Sequence, residues 1–339
     1  QKFMKNRTIV IAEIGVNHNG NVTLAKKLID VAKKSGADFV KFQTFKTENL
    51  VCKNTKAAKY QNLNLKKKTS QYNILKKLEL TDNDFKTLLK YSKKRKIGFL
   101  SSPFDLDSLE LLLRLKIFDI KIASGEITHY IFLKKLAKFA KRVFLSTGMS
   151  TIEEVSKAIN ILVKGGMNKK NITILHCHTN YPTEFKEVNL RAMKSIERKF
   201  NIDVGYSDHT IGEETAIAAV ALGAKVIEKH ITLSKKMIGP DHKASMEPSS
   251  FIKYVKAIRN TEHLMGSNIK KPTKNELKIR KLVRKSIIAK KPIKKGELFS
   301  SSNLICKRPE GGISPIHWDK IIGKKSKKDF KVNQFIRLK

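Results

Sequence analysis

Polar residues of the kinds that do chemistry follow short apolar runs at intervals along this chain. Lys41 and Lys121 each end such a run, and two cations can bind a phosphate together with nearby hydroxyl groups. His209 and His230 follow two later runs, and two imidazoles that face one cavity can bind a divalent metal ion. The other polar residues at these positions are carboxylates, amides and hydroxyls, namely Glu13, Gln43, Ser102, Ser124, Glu126, Ser207 and Glu228.

The apolar runs number eight, and each interval between successive runs has room for one helix. This pattern is typical of an α/β fold of the (β/α)8 TIM-barrel type, whose active site lies at the carboxyl ends of the parallel strands. A doubly wound sheet is the alternative, but it rarely offers so many strand ends of this kind. We therefore predict barrel strands that include residues 8–12, 38–40, 98–100, 118–120, 143–145, 172–175, 202–205 and 225–227.

The intervals between the runs have the features of helices. Thr151 and Glu154 have the spacing of a capping box at a helix start. The sequence SGADFVK at 35–41 resembles LGAKVIE at 222–228, so one helix-to-strand unit recurs, which favours a parallel sheet. Apolar residues at helical spacing occur in segments 23–35, 82–95 and 151–163.

The barrel pattern occupies residues 1–266 and is followed by a polar stretch. Residues 267–280 contain Pro272 and several lysines, and we interpret this stretch as a linker. Residues 281–339 have short apolar runs separated by glycine and proline turns, which predicts a small strand-rich domain. A domain of this size is marginally stable alone, so we expect it to pack on the barrel or on a second chain.

The chain is strongly basic, with 70 Lys and Arg against 30 Asp and Glu and a formal net charge of +40. Such a charge can mark a surface that binds nucleic acid, or it can be a solvated lysine surface. The basic residues are spread over the whole chain in pairs and triplets, without interleaved aromatic residues that could stack on bases. We therefore predict no nucleic-acid partner, and we expect the charge to attract anionic substrates.

Neither a membrane-spanning stretch of about 20 apolar residues nor a signal peptide is evident. We therefore expect a cytoplasmic protein without a membrane partner. Three widely spaced cysteines, Cys52, Cys177 and Cys306, give neither a disulfide framework nor a zinc-finger spacing.

The two histidines at the ends of the seventh and eighth runs are the predicted metal ligands. Because these strands are neighbours in a closed barrel, His209 and His230 should face one cavity. Two protein ligands leave coordination positions open, as in a catalytic metal site. His176 and His178 follow the sixth run and complicate the assignment; we expect His176 to point into the barrel wall.

The lysines and carboxylates have more than one interpretation. Lys41 or Lys121 could form a Schiff base with a carbonyl substrate, as in an aldolase, instead of binding an anion. Glu13 and Glu126 could transfer protons or bind sugar hydroxyls, or each could simply pair with a lysine. Asp241 lies after the last barrel run and could bind a polyol.

Several short motifs of the chain carry a family resemblance. In the barrel they are IAEIGVNHNG at 11–20, VKFQT at 40–44, SPF at 102–104, KIASGE at 121–126, STGM at 146–149, GYSDHT at 205–210 and EKHI at 228–231. With these motifs the chain resembles the sialic acid synthase family, the phosphoenolpyruvate (PEP)-dependent synthases of nine-carbon 2-keto sugar acids. The C-terminal KRPEGGISP at 307–315 resembles the antifreeze-like (SAF) domain of that family.

The resemblance implies roles for particular residues. It implies a divalent metal ion, Mn2+ foremost with Mg2+ or Co2+ as alternatives, on His209 and His230. It implies that Arg308 reaches into the barrel of a partner subunit in a homodimer with swapped SAF domains, where it contacts the N-acyl group. PEP would be bound by Lys41, Lys121, Ser102, Ser124 and Ser207, and the amino sugar by Gln43, Glu13, Glu126, Tyr181 and Asp241.

One position departs from the family pattern. Some members have asparagine two residues before the tyrosine that corresponds to Tyr181, whereas this chain has Thr179 there and Asn180 one position out of register. The phosphate contact of that asparagine could therefore fall to either residue.

The implied reaction is a condensation in which C3 of PEP attacks the aldehyde carbon of an open-chain N-acetylated amino sugar. Water adds at C2, and phosphate leaves by C–O cleavage. Glu13, Glu126 and Lys121 would be the catalytic residues, and Glu126 the first candidate for proton transfer. The expected acceptor is N-acetylmannosamine, which gives N-acetylneuraminate; the alternative is 2,4-diacetamido-2,4,6-trideoxymannose, which gives legionaminate.

Overall fold

The computed structural model describes residues 7–57, 64–65 and 69–337. Eight parallel strands close into a barrel in chain order, so the predicted TIM barrel is confirmed and the doubly wound alternative is wrong. Each predicted run overlaps one strand, and five of the eight runs begin one residue before it. The strands are β1 Ile9–Gly15, β2 Phe39–Thr44, β3 Gly98–Pro103, β4 Asp119–Ile122, β5 Arg142–Ser146, β6 Ile172–Cys177, β7 Asp203–Asp208 and β8 Val226–His230.

Helices cover the outside of the barrel. None of the helices in the described part of the chain is both long and apolar enough to cross a membrane. They are α1 Val22–Lys34, α2 Thr47–Leu50, α3 Gln71–Leu78, α4 Asp82–Lys94, α5 Leu106–Arg114, α6 Tyr130–Ala137, α7 Ile152–Lys164, α8 Arg191–Phe200, α9 Glu214–Ala221 and α10 Pro248–Met265.

Helix α7 shows why these segments are helical. Thr151 precedes it, and the predicted capping box forms: the Glu154 N–H donates to Thr151 Oγ1, and the Thr151 N–H donates to Glu154 Oε2 at 2.8 Å. The buried face consists of residues at helical spacing, Val155, Ala158, Ile159 and Leu162. Helix α7 therefore begins where its cap residue dictates and packs through one apolar stripe.

The strands carry an apolar layer beneath a polar layer inside the barrel. Because side chains two positions apart on a strand point to the same side, each polar residue lies directly above an apolar one. The apolar layer is fully buried and consists of Ile11, Leu100, Phe144, Leu175 and Val226. The residues two positions later are Glu13, Ser102, Ser146, Cys177 and Glu228, and all of them line one cavity. The apolar layer thus closes the floor of a polar chamber.

The chain divides into two compact units, Gln1–Gly266 and Ser267–Lys339. The second unit contains α11 Lys274–Val283, an antiparallel pair of strands, β9 Ser286–Ala289 and β10 Leu304–Lys307, and α12 Trp318–Ile321. Its own core consists of Ile287, Ala289, Ile293, Phe299, Leu304, Ile321, Phe330 and Ile336. Helix α11 begins inside the predicted linker, because Thr273 and Glu276 form a capping box there.

Candidate active site

Four charged side chains from four strands meet on the floor of the chamber. Lys41 Nζ lies 2.9 Å from Glu13 Oε2 and 3.6 Å from Glu228 Oε1. Lys121 Nζ lies 3.8 Å from the same Glu228 oxygen. All four residues are at most 3 % exposed. Charges this deeply buried are costly unless they are paired or used, so this quartet is a functional-site candidate on physical grounds.

The two carboxylates of the quartet have opposite pKa shifts. Burial raises the pKa of Glu13 to about 7, although Lys41 opposes the shift. Burial also acts to raise the pKa of Glu228, but Lys121 and Lys41 outweigh it and the net shift is downward. One carboxyl can therefore hold a proton near neutral pH while the other is ionised, which suits an acid–base pair.

The lysines of the quartet also differ. Burial lowers the pKa of Lys121. For Lys41, burial acts downward as well, but the charges of Glu13 and Glu228 outweigh it and the pKa is raised. Lys41 is therefore held as an ammonium group, which suits anion binding better than formation of a Schiff base, because that reaction requires a neutral amine.

Hydroxyl groups surround the quartet. Lys41 Nζ donates to Ser102 Oγ at 3.1 Å, and Ser207 Oγ donates to Glu228 Oε1 at 3.1 Å. Ser124 Oγ accepts a hydrogen bond from the Gly148 N–H at 3.0 Å. These groups line a cavity of about 190 Å³ together with both lysines. Two ammonium groups with several hydroxyls in one small cavity can bind a compact anion.

The two predicted metal ligands lie next to the quartet. The ring centroids of His209 and His230 are 5.4 Å apart, and both residues are buried. His209 Nδ1 is hydrogen-bonded to the carbonyl oxygen of His178, so a metal ion would be held through Nε2. His230 Nδ1 is buried and has no hydrogen-bond partner among the described residues.

Their environment keeps both imidazoles neutral. Burial lowers the pKa of His209 to about 4 and that of His230 well below its usual value. Neutral imidazole is the form that binds metal ions. Within the described part of the chain, no group of three or more His, Cys, Asp or Glu side chains could hold a metal ion. Two neutral imidazoles could hold a divalent ion if its other ligands were water or substrate.

A second cavity of about 230 Å³ adjoins the first. Both cavities are lined by Gln43, Phe104, Tyr181 and His230. The Tyr181 ring packs against that of His209, with 4.1 Å between centroids. Asp241 lines only the second cavity, and burial raises its pKa to about 6. The rest of the lining is mainly apolar and consists of Val16, Leu50, Val51, Gln71, Ile74, Leu75, Leu78 and Pro240.

One predicted site residue of the barrel lies apart from these cavities. Glu126 lines neither cavity, and its Oε2 lies 2.7 Å from His129 Nδ1. Ser124, in the same short 3₁₀ turn Ser124–Glu126, does line the first cavity. Arg308 is exposed and follows β10 in the C-terminal unit. The roles of Glu126 and Arg308 stay predictions.

The segment after β6 places Thr179 and Asn180 differently. Thr179 lines the first cavity, whereas Asn180 Nδ2 donates to Glu187 Oε2 at 3.3 Å. His176 Nε2 is hydrogen-bonded to the carbonyl oxygen of Val188 at 2.9 Å, and His176 lines neither of the two cavities described above. Thr179 is therefore the better placed of the two to contact a ligand in the first cavity.

We assigned no role to Glu228, although the structure places it between both lysines. A usable signal was present in the chain: Glu228 precedes His230 by two positions on β8, so both side chains point into the barrel. Alternation along the strand would have identified it.

Comparisons with known proteins agree with this geometry. The family model described as NeuB family matches residues 28–270, and the SAF domain model matches residues 284–339. The chain is 52 % identical to the N,N'-diacetyllegionaminic acid synthase of Campylobacter jejuni, over 98 % of this chain and 99 % of that protein. It is 44 % identical to the protein of the same name from Legionella pneumophila, over 93 % of this chain and 89 % of that one.

Among solved structures, the N-acetylneuraminic acid synthetase of Leptospira borgpetersenii superposes with a TM-score of 0.70 at 30 % identity, covering 81 % of this chain and 90 % of that one. The predicted resemblance is thus confirmed along nearly the whole chain, including its C-terminal domain. The candidate site lies at the carboxyl ends of the barrel strands, a SAF domain follows the barrel, and the similar proteins are named as synthases. The chain is therefore an enzyme of the synthase type and belongs to the NeuB family.

Proposed function

We propose that the chain condenses PEP with open-chain 2,4-diacetamido-2,4,6-trideoxymannose to give N,N'-diacetyllegionaminate and phosphate. The observation that carries this proposal is the pair of adjoining cavities, one cationic and one largely apolar, with His230 and Tyr181 lining both. The names of the two relatives from Campylobacter and Legionella support the same acceptor. N-acetylmannosamine, which we expected from the sequence, stays the competing acceptor.

The first cavity suits PEP. Lys41 and Lys121 provide two positive charges, and when Glu13 takes up a proton, as its pKa of about 7 allows, only Glu228 opposes them. The net charge of the quartet is then positive, so an anion is attracted although each cation already has a partner. Hydroxyls of Ser102, Ser124 and Ser207 add hydrogen bonds to phosphate or carboxylate oxygens.

The second cavity suits the distal end of a deoxygenated acceptor. Such a sugar carries a C6 methyl and two acetamido methyl groups, and burial of apolar surface is worth about 25 cal/mol per Å². Leu50, Ile74, Leu75 and Leu78 offer this surface. The C6 hydroxyl of N-acetylmannosamine, which the trideoxy sugar lacks, would lose water against these side chains without a matching partner. Gln43, Tyr181 and Asp241 provide polar contacts at the edges of the same cavity.

His209 and His230 would hold the divalent ion, for which Mn2+ is the first candidate. When bound, such an ion would polarise the aldehyde oxygen of the acceptor. The chain's own residues orient the two substrates so that C3 of PEP faces the aldehyde carbon between the two cavities. Water then adds at C2, and phosphate leaves with the bridging oxygen by C–O cleavage. Glu13 is better placed than Glu126 to exchange a proton, because it lines the first cavity and its pKa lies near 7.

Activity would depend on a homodimer. Exposed apolar side chains project from the segments that follow β4 to β8 at the barrel mouth, namely Tyr130, Ile131, Met149, Phe185, Ile211 and Ile238. Apolar side chains grouped around a mouth mark a surface that another body covers. The C-terminal unit of a second copy would cover it and bring Arg308 to the N-acyl group of the sugar.

The test is phosphate release from PEP by the purified full-length chain with each acceptor in turn. We expect turnover with 2,4-diacetamido-2,4,6-trideoxymannose, loss of turnover on chelation, and recovery with Mn2+. PEP labelled with ¹⁸O in the bridging position should deliver the label to phosphate. Turnover with N-acetylmannosamine but not with the trideoxy sugar would contradict the proposed acceptor. Borohydride trapping of a carbonyl substrate on Lys41 or Lys121 would favour the aldolase.

A further inference from the structure

A second charged cluster lies on the other side of the barrel wall, directly behind the two histidines. Asp208 and Lys229 are Cα partners on β7 and β8, one position away from the inward-facing pair Ser207 and Glu228. Because side chains alternate along a strand, Asp208 and Lys229 point outward, toward the helices. Lys229 Nζ lies 2.9 Å from Asp208 Oδ2, and the two side chains are 2 % and 0 % exposed.

The hydrogen bonds of Asp208 tie together three elements. Its Oδ2 accepts from the hydroxyl of Tyr254, on α10, at 2.7 Å. Its Oδ1 accepts from the Thr210 N–H at 2.9 Å and from Thr210 Oγ1 at 2.7 Å. Lys229 Nζ also donates to the Thr210 carbonyl oxygen and lies 5.3 Å from the centre of the Tyr254 ring. Both charges are therefore held by several partners from the protein itself.

This arrangement restrains the backbone on both sides of His209 and on one side of His230. The N–H and the C=O of Thr210 are both held, which restrains the chain segment in which His209 stands between Asp208 and Thr210. The His209 carbonyl oxygen in turn accepts from the Thr183 N–H at 2.9 Å. Lys229 directly precedes His230, so the ion pair also sets how β8 lies against β7 at the level of the imidazoles.

Stability alone is a weak reason for such a cluster. A fully buried ion pair is often no more stabilising than well-packed apolar residues of similar volume, because two charges must be removed from water. Neither Asp208 nor Lys229 lines the two site cavities. What distinguishes the pair is its position, one residue away from each of the two imidazoles.

We propose that Asp208 and Lys229, with Tyr254, are positioning residues that set the separation of His209 and His230 and thereby the affinity for the divalent ion. The inference rests on the proposed metal site. Partners that orient metal ligands typically change metal affinity by 10- to 100-fold when they are removed.

The experiment is a titration of metal-free full-length protein with Mn2+, followed by the electron paramagnetic resonance signal of free Mn2+, together with thermal unfolding of the same samples. Asp208→Asn and Lys229→Met should each weaken Mn2+ binding by about 10-fold or more. Tyr254→Phe, which removes one hydrogen bond, should weaken it less. Asp119→Asn is the matched control, because Asp119 and Arg142 are Cα partners on β4 and β5 at the opposite end of the barrel.

The outcomes separate the two proposals. If the wild-type chain does not bind Mn2+, the proposed metal site is wrong and this inference fails with it. If the wild type binds and folded Asp208→Asn, Lys229→Met and Tyr254→Phe all bind within twofold of it, the metal site stands and the positioning role is wrong. If Asp208→Asn or Lys229→Met does not fold, Tyr254→Phe decides: unchanged Mn2+ affinity contradicts the inference, and weaker binding with the control unchanged supports it.

Discussion

At the amino-terminal end of the barrel, charged side chains pair with one another in contact with water, whereas at the carboxyl end they are buried around a cavity. Arg142 and Asp119 lie 2.6 Å apart, and each side chain is 32 % exposed. Lys41 and Glu13 are nearly as close, at 2.9 Å, but their side chains are only 4 % and 1 % exposed. Distance does not distinguish the two pairs, and burial does.

The charged pairs at the two ends of the barrel differ in what they contribute. Breaking a half-exposed ion pair costs little stability, because water replaces the lost partner of each charge. A buried pair remains stable only while its charges stay compensated, and an anionic ligand can take over part of that compensation. The carboxyl end is therefore where substitutions should affect function, and the amino end is where they should affect little.

The largest effects are expected from loss of the two site lysines. Lys41→Ala removes the cation that lies between two buried carboxylates, and breaking such a pair costs about 3–5 kcal/mol of stability. Lys121→Ala breaks only a 3.8 Å contact, so it should remain folded. Loss of a contact to a charged ligand is worth about 1.5–3 kcal/mol, so kcat/KM for PEP should fall by about 10-fold to more than 100-fold in each variant.

Steady-state kinetics with varied PEP and urea unfolding of the same two variants measure these effects. A folded Lys121→Ala enzyme with wild-type KM and turnover for PEP would show that the buried quartet does not bind this substrate.

The next effect concerns the mouth of the barrel rather than its floor. Arg308→Ala and Lys121→Ala should each lose most of their activity alone, since each lacks one residue of the proposed site. After unfolding and random re-pairing, about half of the dimers are mixed, and each mixed dimer has one of its two sites intact. Activity should therefore recover to about a quarter of the wild-type value. No recovery, with mixed dimers demonstrated by mass, would mean that Arg308 does not act on the barrel of a partner.

Asp241, which follows β8, and Asp119, at the start of β4, allow the two ends of the barrel to be compared with one residue type. Within the described residues Asp119 has Arg142 beside it, while the raised pKa of Asp241, about 6, is due to burial alone. The unfolded chain releases the Asp241 proton near 3.8, so between pH 3.8 and 6 the folded chain binds more protons than the unfolded one. Ionisation of Asp241 therefore lowers stability as pH rises through this window.

The ionised carboxylate is the form that accepts hydrogen bonds from sugar N–H and O–H groups, so KM for the acceptor should fall several-fold as pH rises from 5 to 7. Asp241→Asn should remove this pH dependence, whereas Asp119→Asn should leave it unchanged. The measurement is KM for the acceptor at saturating PEP across this range. The same profile in Asp241→Asn and wild type would exclude Asp241 as the group responsible.

The sequence predicted the barrel and most of its cavity-lining residues because period-two alternation and strand ends are local patterns. Lys41, Ser102 and Ser207 line the chamber as their positions required. Glu126 is the contrast: it lies in a 3₁₀ turn after β4, and its side chain is hydrogen-bonded to His129. Strand alternation does not extend into such a turn, so it could not predict where this side chain points.

The second cavity and the outer ion pair could not be predicted either. The cavity is formed by α3 and by segments after β1, β2, β3, β6 and β8, which meet only once the barrel closes. Asp208 and Lys229 belong to recognised motifs, and alternation predicts that both point outward, but their pairing with each other depends on the register of β7 against β8. The start of helix α11, by contrast, is predictable from the sequence, because its capping box at Thr273 is a local signal.

The smallest effects are expected at the amino-terminal end. Arg142→Met removes the ion pair with Asp119 but keeps an unbranched chain that can pack on Phe39 and Phe144, whose rings lie about 5 Å from the guanidinium in the native chain. A half-exposed ion pair is worth about 0–1 kcal/mol, and salt screens it, so the loss in unfolding free energy should be within that range and smaller still at high ionic strength. The kcat and KM for PEP should stay within twofold of wild type, because the apolar layer of Ile11, Leu100 and Phe144 separates this end from the chamber. Urea unfolding at low and high salt, with kinetics on the same samples, measures both quantities. A loss of several kcal/mol, or a tenfold change in PEP kinetics, would show that this rim pair is coupled to the site as the buried quartet is, and the contrast between the two ends of the barrel would no longer hold.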